Sequence, residues 1–126
     1  MLKHLREHIA ATMEGARSAT LATSGPAGLL AHVAPCAANG MQLYLLLPRT
    51  SDHLLNLEAE GAVVVTTAEW QVRGRARVLS TIEWPASLAL AEASGARWSV
   101  LIEVTPTRVE IAQREGWGAA ETIDLG

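Results

Sequence analysis

Residues 18–48 read SATLATSGPAGLLAHVAPCAANGMQLYLLLP, a run of 31 residues without one Asp, Glu, Lys or Arg. On hydropathy alone such a run would suggest a membrane helix. Its punctuation argues otherwise: Ser24-Gly25-Pro26, Pro35, Asn39-Gly40 and Gln42 cut it into pieces too short to span a bilayer. Three strands account for it. Ser18 to Thr23 alternates, with Ala19, Leu21 and Thr23 on one side, and Ser24-Gly25-Pro26 turns the chain. Gly28 to Ala37 is a second apolar strand. Asn39-Gly40 is a strong hairpin signal, and Met41 to Leu47 follows as the third strand.

Before this run, Leu2, Leu5, Ile9, Met13 and Ala16 recur at three- and four-residue spacing, which predicts an amphipathic helix over residues 1–16. After it, Pro48 ends the third strand and Arg49-Thr50-Ser51-Asp52 opens a second helix. Thr50 or Ser51 would cap that helix, Leu54 and Leu57 would be buried, and Gly61 would stop it. Ala62 to Thr67 is a continuous apolar, β-branched run, expected to be a strand buried on both faces. Gln71 to Thr81 alternates, with Val72, Gly74, Ala76 and Val78 facing one way and Arg73, Arg75 and Arg77 the other. Pro85 suits the start of a short helix over residues 84–93. Trp98 to Ile111 is a last long strand, in which Pro106 demands an edge or a bulge. The tail over 112–126 has no usable period.

Six consecutive strands joined mostly by tight turns make an antiparallel sheet, and with peripheral short helices they predict a mainly β (α+β) fold closed as a small barrel. The chain is one domain: a helix over 1–16, a barrel over 17–111 and a C-terminal tail over 112–126. Its 126 residues and 49% apolar content suffice for one core.

Composition narrows the partners. A net charge of −3 and only 4% aromatics argue against a surface for nucleic acid, and nothing predicts membrane attachment. Cys36 is the only cysteine, so no intrachain disulfide forms and a reducing, cytoplasmic setting fits best. The N-terminal helix is interrupted by Lys3, Arg6, Glu7 and Glu14 and does not read as a signal peptide. Four histidines without a carboxylate cluster give no metal site.

The element order, with Ala19-Thr20-Leu21-Ala22-Thr23 early and Ser51-Asp52-His53-Leu54-Leu55-Asn56-Leu57 in the middle, resembles the pyridoxamine 5′-phosphate oxidase-like superfamily of FMN-binding split barrels. Arg73-Gly74-Arg75-Ala76 is similar to that family's Gly-x-Ala strand, and Trp98 to Val109 to its closing strand. The likeness covers about Arg17 to Ile111. It implies a six-stranded antiparallel split β-barrel that forms a homodimer, with FMN in clefts between protomers. It also implies a flavin-dependent oxidoreductase acting on a small molecule. The flavin phosphate would lie at the entrance to the second helix, where Arg49, the Thr50 and Ser51 hydroxyls and unpaired backbone N–H groups could converge on an anion. His53 stands where the family usually has Lys. Backbone around Ala34, Pro35 and Cys36 would lie near the ring edge, Gln71 is similar in place to a flavin-contacting Gln, and Trp98 and Trp117, which read first as interface or core anchors, could also cover the isoalloxazine. The Arg and His pair of the true oxidases near the C-terminus is not recognisable, so the substrate is expected to be another small molecule.

Other readings stay open. The same dimeric fold could serve as a non-enzymatic binding or sensing module, and the superfamily also includes deazaflavin- and haem-binding members. Arg49-Thr50-Ser51 also reads as a capped helix start with a solvated Arg, and His53 as a surface residue. Arg73, Arg75 and Arg77 would usually be solvated or paired with acids such as Glu69 or Glu103, with a polar cleft wall as the minority reading. His32 reads as a satisfied core or interface histidine, and Cys36 as packing.

Overall fold

The computed structural model describes residues 2–80, 83–85, 98–112 and 119–125. The elements run α1 (Leu2–Glu14), β1 (Ser18–Thr23), β2 (Leu30–Asn39), β3 (Gln42–Pro48), α2 (His53–Ala59), β4 (Ala62–Thr66), β5 (Trp70–Leu79), β6 (Ser99–Ala112) and β7 (Ala119–Asp124). The helix expected over 84–93 lies outside the described residues beyond Pro85, and so does Trp117.

Strand order is β3-β2-β1-β4-β5-β6-β7, and β3 pairs again with β6. Six strands therefore close into a mainly β, antiparallel barrel, and β7 is added outside it. Closure works because β6 is 14 residues long. Its first half, Ser99 to Val104, pairs with β3, and its second half, Arg108 to Ala112, pairs with β7 on the same side. The sequence offers no period for β7, in which Ile123 is buried against the core.

Alternation fills the interior. Leu21, Leu43, Leu45, Val65, Val72, Ile102, Val104 and Val109 are fully buried, and Ile9 and Met13 of α1 join the same cluster. The helical stripe read from the sequence is thus the stripe that packs on the barrel.

The strand buried on both faces is β3 and not β4. In β4, Val63 and Val65 are buried, but Ala62 is exposed and Val64 half-buried. In β3, Leu43, Leu45 and Leu47 point inward while Tyr44 and Leu46 pack outside against Leu79, Leu101 and Trp84. Continuous hydrophobicity occurs in both strands, and it is the β3–β6 closure that supplies an outer cover for β3. The bulge demanded by Pro106 is present: Gly74 pairs with Pro106 but Arg73 with Arg108, leaving Thr107 as the extra residue.

Candidate functional site

Arg49, Thr50 and Ser51 form the turn between β3 and α2, and the Arg49 N–H donates to the Trp98 carbonyl (3.2 Å). The turn carries an exposed guanidinium and two hydroxyls, and Trp98, which it meets through this backbone bond, has a largely exposed indole (66%). The unpaired amides expected there are largely absent. The His53 N–H donates to Ser51 Oγ (3.2 Å), the Leu54 N–H to the Ser51 carbonyl, and those of Leu55 and Asn56 to the Asp52 carbonyl. The N-cap is Asp52, whose side chain makes no cap bond, so neither Thr50 nor Ser51 fills that position. What remains for an anion is chiefly side-chain chemistry.

His53 is not a surface residue. It is 2% exposed, and its ring turns into the protein. Ala34 and Cys36 also point into the core, where burial pushes the Cys36 thiol up to about 11 and leaves it unreactive. Pro35 lies on the exposed face of β2. Gln71 on β5 pairs with Glu110 near one end of β6, whereas Pro48, just before Arg49, pairs with Ser99 at the other end of that strand. Within one protomer it does not join Arg49.

The arginines of β5 divide. Arg77 pairs with Glu103 (3.1 Å) and Glu83 (2.8 Å), and Arg75 with Glu60 (2.9 Å). Arg73 has no ion pair among the described residues. It borders an open groove of about 620 Å³ whose other walls include Ala22, Leu29, Ala31, Val64 and Arg75. The groove follows the outer face of β2, β1, β4 and β5. The same region presents Leu29 (88% exposed) and Val33 (72%), side chains that usually find a cover.

Sequence reasoning singled out His53 but missed the polar chain it belongs to. Asn56, fully buried on α2, accepts the Ala27 N–H at Oδ1 (2.9 Å) and donates from Nδ2 to the Gly28 carbonyl (2.9 Å) and Thr23 Oγ1 (3.0 Å). Thr23 Oγ1 lies 2.7 Å from His53 Nδ1, and His53 Nε2 lies 2.9 Å from His32 Nδ1. The two rings meet edge to face, 87° apart with centroids 5.0 Å apart. The bonds fix the tautomers. Thr23 Oγ1 already accepts from Asn56 and its hydrogen has no other acceptor among the described residues, so it donates to His53 Nδ1. Neutral His53 then carries its hydrogen on Nε2 and donates it to His32. Burial, and secondarily His32, push the His53 pKa below its ordinary value, against a smaller opposing effect of Asp52. The available signal was a lone Asn among Leu54, Leu55 and Leu57, because a buried Asn must find partners.

No sequence family matches the chain, and no curated protein matches it by sequence. Solved structures do match it in fold. General stress protein 26 from Bacillus anthracis str. Sterne superposes with a TM-score of 0.72 at 20% identity, over 97% of this chain and 99% of that one. A protein from Clostridium acetobutylicum related to general stress protein 26 of B. subtilis, described as of the pyridoxinephosphate oxidase family, gives 0.67 at 9% identity, over 98% and 94%. A heme binding protein from Mycobacterium smegmatis gives 0.68 at 18% identity, over 94% of this chain and 56% of that one. The chain has the split-barrel fold of the pyridoxamine 5′-phosphate oxidase-like proteins. Among the described residues no helix is long and apolar enough to cross a membrane.

Proposed function

We propose that this chain is a homodimeric FMN-binding protein that transfers electrons or hydride to a small organic molecule. The observation that carries this reading is the turn at the end of β3, which carries an exposed guanidinium and two hydroxyls and is bonded through its backbone to Trp98, whose indole is exposed. This set fits the two ends of the cofactor: Arg49, Thr50 and Ser51 suit a phosphate, and Trp98 suits a flat ring. Bound flavin would supply the redox chemistry, while the protein positions it and sets the nearby charge. The apolar face around Leu29 and Val33 is where a second protomer would pack, and Gln71 would reach a cofactor only across such an interface.

One observation favours a second reading, a dimeric binding module without flavin. His53, at the place expected to hold the phosphate's second cation, is buried and neutral, and most amides beside it are already bonded. A visible spectrum of the purified protein, followed by FMN titration read by flavin fluorescence, separates the two. A yellow protein or saturable quenching at micromolar FMN supports the flavoprotein. No colour and no quenching supports the module, and an intense Soret band or deazaflavin uptake would replace FMN as the cofactor.

A further inference from the structure

We infer that His32 and His53 form a proton-operated latch on the loop over residues 24–29, the loop that rims the groove. This does not depend on which ligand the chain binds. The loop is backbone that needs holding. Gly25 and Gly28 both have positive φ (157° and 90°), and Gly25 lies so close to α2 that a Cβ there would come 2.9 Å from Asn56 Oδ1. Asn56 holds the loop through Ala27 and Gly28, Thr23 holds Asn56, and the histidine pair holds Thr23. Ser24, Leu29 and Leu30, carried by this loop and its exit into β2, line the groove.

The chain of bonds has one arrangement when the pair is neutral and none as good when it is charged. If a proton sits on His32, both its ring nitrogens carry hydrogens and Nδ1 can no longer accept. The pair then stays bonded only if His53 moves its hydrogen to Nδ1 and accepts at Nε2. That N–H would face Thr23 Oγ1, whose own hydrogen would be left without an acceptor in a buried place. A second proton sets N–H against N–H at 2.9 Å. Little nearby charge compensates. β1, β2, β4 and the loop carry no charged residue, α2 brings Asp52 at its start and exposed Glu58 near its end, and the preceding turn brings Arg49. The charge-free stretch that defines the first three strands therefore also leaves the histidine pair without a counter-ion of its own, apart from Asp52 one residue away.

Amide hydrogen exchange of the whole chain, corrected for the intrinsic pH dependence of exchange, tests the latch. Protection of the Ala27 amide is expected to fall about tenfold or more between about pH 7.5 and about pH 5.5, while the Leu45 and Val65 amides in the barrel keep theirs. In His32→Gln, which offers His53 an acceptor that does not titrate, the fall should shrink to less than about threefold. An equal fall in the variant, or no fall in the wild type, overturns the proposal. Should the variant not fold, ring ¹⁵N shifts of the wild type decide. A hydrogen on Nε2 of His53 at neutral pH, moving as Ala27 loses protection, supports the latch; a hydrogen on Nδ1, or titration with no change at Ala27, overturns it.

Discussion

The carbonyl oxygen of Thr105 lies 2.5 Å from the point that a Cβ on Gly74 would occupy. This approach is built by the bulge in β6, which carries Thr105 and Pro106 toward β5 and leaves Thr107 unpaired in the ladder. A bare backbone at 74 is what lets the long strand bend and serve β3 with one half and β7 with the other.

Gly74→Ala should accordingly destabilise the barrel by about 3 kcal/mol, because the obstructing atom is backbone and cannot rotate away. Urea unfolding measures it. A midpoint equal to that of wild type would mean that the strands move apart at no cost and that the bulge does not set their spacing.

Asn56 is the second point at which the fold depends on one side chain. Asn56→Ala would leave the Ala27 N–H and the Gly28 carbonyl without their partner and remove a donor to Thr23, a loss of about 2–4 kcal/mol. Asn56→Asp tests the donor half. It keeps an acceptor for Ala27 but loses both Nδ2 bonds and buries a charge, so it should be no more stable than the alanine variant. A stable Asn56→Asp protein would show that the Nδ2 bonds contribute little.

Stability should also depend on pH in a window set by His53. Its pKa is lowered in the folded chain, so as pH falls the unfolded chain takes up the proton first. The contribution is present above the unfolded value of 6.5 and is lost as pH falls through it, levelling off below the folded value. Thermal midpoints measured from about pH 7.5 down to about pH 5.5 should drop in wild type and drop less in His53→Gln. Glu60 and Glu83, held below their ordinary 4.5 by backbone N–H bonds and by Arg75 and Arg77, act only in a more acid range. Parallel slopes in the two proteins would remove His53 as the cause.

Periodicity made most of the barrel legible. Ser18–Thr23 has the predicted bounds, the α1 stripe packs as its spacing implied, and Pro106 announced its bulge. The strand that is buried twice was misassigned because β3 and β4 are both continuous apolar runs, and only the long-range β3–β6 pairing separates them. The site was harder to read, because a side chain's direction at a helix entrance is not set by spacing. His53 lies in the first turn of α2, yet it points inward to meet Thr23 and His32, thirty and twenty-one residues away. Arg73, Arg75 and Arg77 looked alike in sequence, and only the positions of Glu60, Glu83 and Glu103 show which one is left for the groove.

The exposed apolar face bears on assembly. Val33→Glu would place a charge on the exposed face of β2, on the surface proposed to pair with a second copy. It should shift sedimentation from dimer to monomer while leaving the circular dichroism of the barrel unchanged, since Val33 is 72% exposed. A variant that remains dimeric would locate the interface elsewhere.

The phosphate end of the proposed cofactor site rests on one guanidinium. Arg49 is exposed and makes no ion pair among the described residues, so its removal should disturb little else. If it holds the FMN phosphate, Arg49→Ala loses a charge-assisted bond of about 1.5–3 kcal/mol, a weakening of roughly tenfold to a hundredfold in FMN titration. Riboflavin, which lacks the phosphate, should bind the variant and the wild type equally. Arg73→Ala is the contrasting substitution. It removes a groove cation that has no ion pair among the described residues, on a strand other than the one that leads into the β3–α2 turn, and should leave the phosphate-dependent part of the affinity intact. If Arg73→Ala and not Arg49→Ala abolishes the preference for FMN over riboflavin, the phosphate lies in the groove and the turn at Arg49 is only a solvated helix start.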